Sequence, residues 1–233
     1  NNAIIGGIRR RYAPLTVAIT GTAGKTTTKG MMSLAFERQF RTLHVDGNSN
    51  TPRTISLVLQ HMTADDEAYV QEVSGGAPGT ASTASKMIAP DICVITSIGE
   101  GHLSRMGTIE NVIRGKMQIT DGLKPGGVLI VNDDNEYLHA QTPDVTTIRY
   151  SLSNPDCDYR ARNIRGTDRG VEFEIVSPDG VFDASIALRG NHNVSNALAA
   201  FAAGHVAGIP AHRIIAGMSR YRPSSDRQNI IDV

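Results

Sequence analysis

The chain has 233 residues, 40% of them apolar and 20% charged, and its 23 Lys and Arg residues balance its 23 Asp and Glu residues. This balance argues against a general binder of nucleic acid or of membrane surfaces. The sequence contains no apolar run of about 18 residues and no signal-peptide core, so no membrane span is predicted. Cys93 and Cys157 are far apart and form no metal-binding pattern, which favours a reducing, cytoplasmic setting.

The first strand and the turn after it carry the strongest functional signal. Residues 15–20 are apolar and β-branched, typical of a buried strand, and residues 26–38 have the apolar spacing of a helix. A glycine-containing turn between them predicts a phosphate-binding loop, because glycines let the backbone approach phosphates and a helix N-terminus offers N–H groups. The predicted nucleotide-binding residues are Gly21, Thr22, Ala23, Gly24, Lys25, Thr26 and Thr27.

Two residues of this loop have specific predicted tasks. Lys25 would reach the β- and γ-phosphates, and the Thr26 hydroxyl would reach Mg²⁺. The loop is a shortened variant of the common P-loop, because Ile19 stands where that motif has its first glycine. The alternative is an ordinary strand–helix turn that is rich in small residues.

Strands alternate with helices up to about residue 150. Strands are predicted at residues 41–45, 68–73, 91–98 and 128–131, and helices at residues 54–61, 80–88 and 109–123. This order predicts an α/β fold with a mostly parallel, doubly wound sheet. Lys25, Glu72 and His102 then lie at or just past the carboxyl ends of strands, where ligands bind in open α/β sheets.

The pattern changes after Tyr150. Polar and apolar residues alternate in three segments, residues 158–164, 170–176 and 182–188, with turn residues between them. These segments predict a small antiparallel β meander within residues 151–190. Helices are predicted at residues 193–206 and 210–218, and residues 230–233 have the pattern of the start of another strand.

Three side chains outside the loop are candidates for metal chemistry. A carboxylate such as Glu72 at the end of an apolar strand is costly unless it is paired or metal-bound, although it could also point into solvent. His102 lies in a glycine-flanked loop, where a lone histidine is more often structural than a ligand. Lys116 is a lysine of an amphipathic helix, which is by default solvated.

Several motifs, in this order, resemble the central ATP-binding domain of the Mur ligases, most closely of the D-alanyl-D-alanine-adding type. They are Gly21-Thr-Ala-Gly-Lys-Thr-Thr-Thr28, Glu72, Thr96-Ser-Ile-Gly-Glu-Gly-His-Leu103, Gly107-Thr-Ile-Glu110, Gly115-Lys116 and Gly190-Asn-His-Asn-Val-Ser-Asn-Ala-Leu-Ala-Ala200. The resemblance covers about residues 15–230. It implies an ATP-dependent amide-bond ligase. A substrate carboxylate becomes an acyl phosphate, and the amine of an amino acid or peptide then displaces the phosphate.

The resemblance also implies roles for the catalytic and metal-binding residues. Lys25 would neutralise charge on the transferred phosphoryl group. Thr26 and Glu72 match ligands of a first Mg²⁺, and His102 matches a ligand of a second Mg²⁺. Lys116 matches a lysine that family members carbamylate, which makes it an anionic group facing the metal.

The nucleotide-side residues are matched in the same way. Asn193 and Asn196 match two asparagines at the start of a helix, and Asn196 is assigned the contact with adenine. Arg227 matches an arginine near the nucleotide at a domain boundary. Residues 1–233 together match the ATP-binding domain alone. The full protein is therefore expected to have an N-terminal and a C-terminal domain for the carboxylate substrate, possibly a UDP-linked muramoyl peptide, and the amine.

The segment Gly47-Asn-Ser-Asn-Thr-Pro-Arg53 departs from the pattern of that ligase type. The type usually has Gly-Asn-x-Asn-Asn, whereas the Thr51-Pro52 pair resembles the tripeptide-forming Mur ligases. The acyl substrate and the amine therefore stay open, and so does an amide-forming pathway other than peptidoglycan synthesis. A nucleotide-binding module without catalysis is another alternative. A P-loop kinase or GTPase is disfavoured, since the sequence has no Asn-Lys-x-Asp motif.

Overall fold

The apolar segment before the phosphate-binding loop forms an inner strand of one sheet. The computed structural model describes residues 12–45, 49–101 and 103–223, and within these ranges the sheet has nine strands. They are β1 (Leu15–Thr20), β2 (Thr42–Leu43), β3 (Ala68–Glu72), β4 (Ile92–Ile95), β5 (Val128–Asn132), β6 (Thr146–Ser151), β7 (Tyr159–Thr167), β8 (Gly170–Ser177) and β9 (Gly180–Ile186). Their order across the sheet is β2-β3-β1-β4-β5-β6-β7-β8-β9.

The sheet is parallel from β2 to β7 and antiparallel from β7 to β9. β1 lies between β3 and β4, so the carboxyl ends of these three strands meet at one edge. The chain moves outward from β1 in one direction and then crosses to its other side, and ligands bind in α/β sheets at such a reversal. The predicted α/β fold with an antiparallel meander is confirmed.

Helices cover both faces of the sheet. They are α1 (Lys25–Phe36), α2 (Pro52–Gln60), α3 (Thr80–Ile88), α4 (Leu103–Met106), α5 (Ile109–Met117), α6 (Glu136–His139), α7 (Asn191–Val206) and α8 (Ala211–Met218). Successive residues of β1 point to opposite faces, as a strand requires. Val17 and Ile19 pack in a core with α1, α7 and α8, and Ala18 packs in a second core with α2, α3 and α5.

The C-terminal half differs from the sequence-based prediction in one strand. β6 was not predicted, and β7 pairs with it in parallel, so the meander continues the main sheet rather than forming a separate unit. The pattern of β6 is weak because only its last two residues are buried and the preceding ones are partly exposed. Partial exposure of this kind leaves no clear apolar alternation to detect.

The helix predicted at residues 109–123 is wrong in its second half. The α-helix ends at Met117, and residues Gln118–Gly122 form a 3₁₀ helix. The Ser85 hydroxyl of α3 donates to the Ile119 carbonyl and accepts from the Gly122 N–H at 3.0 Å. A Cβ on Gly122 would lie 2.3 Å from the Ser85 backbone, so the tighter turn lets this segment pack directly against α3.

Thr51 and Pro52, the pair that departs from the family pattern, begin α2. The Thr51 hydroxyl accepts from the Thr54 N–H at 3.3 Å, and the Thr54 hydroxyl accepts from the Thr51 N–H at 3.0 Å. Pro52 occupies the first helical position, where its missing N–H costs nothing. The pair thus has a local structural role.

Within the described residues, no helix is long and apolar enough to cross a membrane.

Candidate active site

The predicted phosphate-binding loop turns tightly between β1 and α1. Gly24 has a φ of 84°, in the left-handed region that favours glycine. A Cβ at Gly24 would lie 2.3 Å from Asn196 Oδ1, and one at Gly21 would lie 2.0 Å from Thr96 Oγ1. Only glycine fits at either position. Gly21 and Gly24 therefore allow the loop backbone to lie close to Thr96 and Asn196.

The end of β4 holds this loop in place. The Thr22 N–H donates to the Ser97 carbonyl at 2.8 Å, and the Ala23 N–H donates to Ser97 Oγ at 3.0 Å. The Thr96 hydroxyl donates to the Ala23 carbonyl at 2.5 Å. The sequence analysis gave Thr96 and Ser97 no role of their own. Their only signal was their place in a motif that follows a buried strand.

The N-terminus of α1 is arranged as an anion site. No side chain caps it, so the N–H groups of its first turn and the positive end of its dipole face the loop. Lys25 Nζ donates to the carbonyls of Gly21 and Thr22, at 2.9 and 3.3 Å, which keeps the ammonium over the loop. A phosphate placed here would meet both the helix N-terminus and a lysine.

Glu72 lies beside the loop at the end of β3 and is 2% exposed. The Thr26 hydroxyl donates to Glu72 Oε2 at 2.8 Å, and the Asn50 amide donates to Glu72 Oε1 at 2.8 Å. In P-loop proteins, a loop hydroxyl and a strand-end carboxylate together hold Mg²⁺. Thr26 and Glu72 are therefore suited to bind this cation, which takes oxygen ligands and completes its shell with water and phosphate.

Lys116 is fully buried on α5, and its Nζ has no hydrogen-bond partner among the described residues. A Cβ on Gly75 would lie 3.2 Å from Lys116 Cγ and 3.4 Å from Thr20 Oγ1, another buried atom without a partner in the described part of the chain. Burial, and then the nearby charge of Lys25, lowers the pKa of the Lys116 ammonium to about 8. Orphaned buried polar atoms beside the loop fit a site that binds a charged group.

Lys116 lies on the buried face of its helix and not on the solvated face that is the default for a lysine of an amphipathic helix. Ile113, Met117 and Leu123 are partly buried and pack against the same core. Val112, Gly115 and Lys116 are the buried positions of α5. Gly115 belongs there because a Cβ on it would lie 2.5 Å from Met106 Cε.

Asn193 and Asn196 lie in the first turns of α7, next to the loop. Asn196 Nδ2 donates to Asn193 Oδ1 at 3.3 Å, and the Thr28 hydroxyl of α1 donates to Asn196 Oδ1 at 3.3 Å. Asn196 lines two cavities, of about 350 and 600 Å³. Asn132 and His192 also line the smaller cavity, and Thr27 and Asn193 line the larger one.

Two predicted site residues, His102 and Arg227, lie outside the described residues. In the part that the structure describes, no group of three or more His, Cys, Asp or Glu side chains could hold a metal ion. The described part of the site presents one buried carboxylate, Glu72, the Thr26 hydroxyl and two lysines, Lys25 and Lys116. A single carboxylate is sufficient for a Mg²⁺ that is also bound by phosphate oxygens.

A shortened phosphate loop at the reversal point of the sheet, with a hydroxyl–carboxylate pair beside it, defines a P-loop nucleotide-binding α/β domain. The family model described as the Mur ligase middle domain matches residues 19–204. The chain belongs to this family, which confirms the resemblance drawn from the motifs.

Individual relatives agree with this assignment. The UDP-N-acetylmuramoyl-tripeptide–D-alanyl-D-alanine ligase of Bacillus subtilis is 33% identical over 216 residues, which are 92% of this chain and 46% of that protein. A crystal structure of MurF from Acinetobacter baumannii has a TM-score of 0.91 at 25% identity and covers 98% of this chain and 51% of its own. MurF of Thermotoga maritima in complex with ADP has the same fold, with a TM-score of 0.86 at 20% identity, covering 96% of this chain and 52% of its own. This chain thus spans about half the length of the relatives it matches.

Proposed function

We propose that this chain is the ATP-binding domain of a ligase that joins a carboxylate to an amine in peptidoglycan precursor synthesis. The observation that carries the proposal is the Thr26–Glu72 hydrogen bond of 2.8 Å beside the uncapped N-terminus of α1, with Lys25 over the same loop. The names of the relatives supply the substrate classes. A UDP-N-acetylmuramoyl-tripeptide would provide the carboxylate, and D-alanyl-D-alanine the amine.

The proposed reaction has two steps. A carboxylate oxygen of the acyl substrate attacks the γ-phosphorus of ATP, the bond to the leaving ADP oxygen breaks, and an acyl phosphate forms. The amine nitrogen then attacks the acyl carbon, inorganic phosphate leaves, and the nitrogen loses a proton. Charge builds up on the phosphoryl oxygens in the first step, where Lys25 and the α1 N-terminus stabilise it.

Thr26 and Glu72 would hold a Mg²⁺, which neutralises phosphate charge when bound. We assign His102 to a second Mg²⁺ on the basis of the family match. Asn193 and Asn196 are assigned to the adenine side of the nucleotide, and Arg227 to its neighbourhood. The cavities that Asn196 lines support the placement of the nucleotide base along α7.

Lys116 would become a carbamate. Its nitrogen, when neutral, adds to the carbon of CO₂ and loses a proton, so the side chain changes from a cation to an anion with two oxygens. The lowered pKa of its ammonium makes the neutral amine available near neutral pH, and the buried position excludes the ordinary role of a solvated lysine. A carbamate on Lys116 would also remove the repulsion between the ammonium groups of Lys116 and Lys25.

The partial coverage of the relatives supports the proposed domain organisation. Residues 1–233 are proposed to form the middle domain, and domains before and after it would bind the acyl substrate and the amine. Binding of ATP should therefore survive in this chain, whereas amide formation should need the flanking domains. The cytoplasm, where ATP is available, is the proposed location.

Nucleotide binding by the chain tests the proposal. Titration calorimetry with a non-hydrolysable ATP analogue and Mg²⁺ should show saturable binding. Lys25→Ala should weaken it by about tenfold or more, because a charge-assisted contact contributes about 1.5–3 kcal/mol. Lys86→Ala, an exposed lysine of α3, is the matched control and should leave binding unchanged. Absence of heat with the unaltered chain would overturn the proposal.

A further inference from the structure

The Glu72 carboxylate is held from two sides. Thr26, a residue of the phosphate loop, donates to Oε2, and Asn50, from the segment before α2, donates to Oε1. We propose that Asn50 is a positioning residue for the metal-binding carboxylate: it fixes the Glu72 side chain so that Oε2 stays on the Thr26 side. The inference rests on the proposed function, since it assumes that Glu72 binds Mg²⁺ with the nucleotide.

The backbone around Asn50 is itself anchored. The Asn50 carbonyl accepts from the Ser74 N–H at 2.8 Å, just past the end of β3. Gln71 Nε2 donates to the Ser49 carbonyl at 2.7 Å, and Thr51 is the N-cap of α2. The backbone of Asn50 is therefore held between β3 and α2. This fixes where its side-chain amide lies, next to the Glu72 carboxylate.

The chemistry of the asparagine suits this task. An amide N–H orients a carboxylate oxygen without adding a positive charge, whereas a lysine or arginine at this place would compete with the cation. Carboxylates that bind metals are themselves held by hydrogen bonds, and loss of such a partner typically lowers metal affinity by about 10–100-fold. Asn50 has the geometry of such a partner.

Metal binding tests the proposal independently of turnover. Asn50→Leu keeps the approximate shape and removes the donor, and Asn50→Ala provides a second variant if the first does not fold. Gln60→Leu is the control, because it removes an exposed amide near the end of α2 that donates to the Ser56 carbonyl and does not contact Glu72. Mn²⁺ affinity in the presence of ADP is measured by electron paramagnetic resonance, and ADP affinity is measured in EDTA.

We expect the Asn50 variants to lose about 10–100-fold in Mn²⁺ affinity, with ADP affinity in EDTA unchanged. Gln60→Leu should match the unaltered chain in both measurements. Unchanged Mn²⁺ affinity in the Asn50 variants, or an equal loss of ADP affinity in EDTA, would overturn the positioning role while the proposed function stands. If the unaltered chain shows no Mn²⁺-dependent binding of ADP, the proposed function fails, and this inference fails with it.

Discussion

Two buried charges in this molecule are treated in opposite ways. Lys116, near the phosphate loop, is fully buried, and its Nζ has no hydrogen-bond partner among the described residues. Asp133, just past β5, has a side chain that is 2% exposed, and it pairs with Arg149 Nη1 at 2.8 Å and with His139 Nδ1 at 3.0 Å. Asn154 adds a hydrogen bond to the same carboxylate at 2.7 Å.

Under the proposed function, the difference separates a charge that is kept for chemistry, Lys116, from a charge that is kept for structure, Asp133. Partners offset the cost of burying a charge, and loss of one of them is destabilising, whereas a buried charge without partners lowers stability and persists only if something else requires it. The pKa values show the same contrast. Burial lowers the pKa of Lys116 to about 8. Burial would raise the pKa of Asp133, but hydrogen bonds from Asn154, Arg149 and His139 lower it to about 2.

The largest expected effect comes from making Lys116 apolar. Lys116→Met removes an ammonium whose pKa falls from 10.5 to about 8, so the free energy of unfolding should rise by about 3 kcal/mol at neutral pH, at roughly 1.4 kcal/mol per pKa unit. Urea unfolding in bicarbonate-free buffer measures this gain. Lys86→Met, on the exposed side of α3, is the control and should change stability little.

The pH dependence of that gain sharpens the test. The folded-state pKa of Lys116 lies below that of the unfolded chain, so the unaltered protein carries the full penalty below about pH 8 and loses it as the pH rises toward 10.5. The gain from Lys116→Met should therefore shrink above about pH 8. In a full-length protein the same variant should abolish turnover. If Lys116→Met is stabilised and still fully active, Lys116 is not kept for function, and its proposed difference from Asp133 fails.

A smaller effect of the opposite sign is expected at Asp133. Asp133→Asn breaks the ion pair with Arg149 and should cost about 1–2 kcal/mol at neutral pH, after allowance for screening by nearby solvent. Because the folded-state pKa is lowered, this stability is present above about pH 4 and is lost as the pH falls through about 2. Thermal unfolding as a function of pH measures it, with the exposed Asp144→Asn as control. Equal stability of Asp133→Asn and the unaltered chain would refute the structural role.

The smallest effect is expected for the ion pairs on the surface of the meander. Arg165 Nη2 lies 2.5 Å from Glu172 Oε2, but their side chains are 77% and 50% exposed. Exposed pairs of this kind contribute little, because water and salt screen them. Arg165→Ala should leave the Tm unchanged in calorimetry. A clear drop in Tm that disappears at high salt would show that this exposed ion pair stabilises the fold.

The local parts of the fold and site could be predicted from the sequence. β1, the glycine turn and the start of α1 have strong apolar and turn patterns. Lys25 and Glu72 were identified by their places at strand ends, and Thr26 by its place in the phosphate-loop motif. Such features depend on residues that are neighbours in the chain. They need no knowledge of which strand lies beside which.

The contacts that complete the site could not be predicted in this way. Asn50 and Thr96 contact the site only because β3 and β4 flank β1. The residues around Asn50 and Thr96 do not by themselves predict this strand order. The full burial of Lys116 could not be predicted from its helix alone, because a lysine is by default solvated. The assignments of His102 and Arg227 stay predictions.

The hydrogen bond between Thr28 and Asn196 joins residues that are 168 positions apart in the chain. Contacts between residues so far apart in the chain are slow to form, so we expect this one to form late in folding. During synthesis, which proceeds from the N-terminus, the phosphate loop emerges early, but α7, which supports α1 from behind, emerges only after most of the domain. A nascent chain therefore carries the phosphate-binding sequence long before it has the folded nucleotide site.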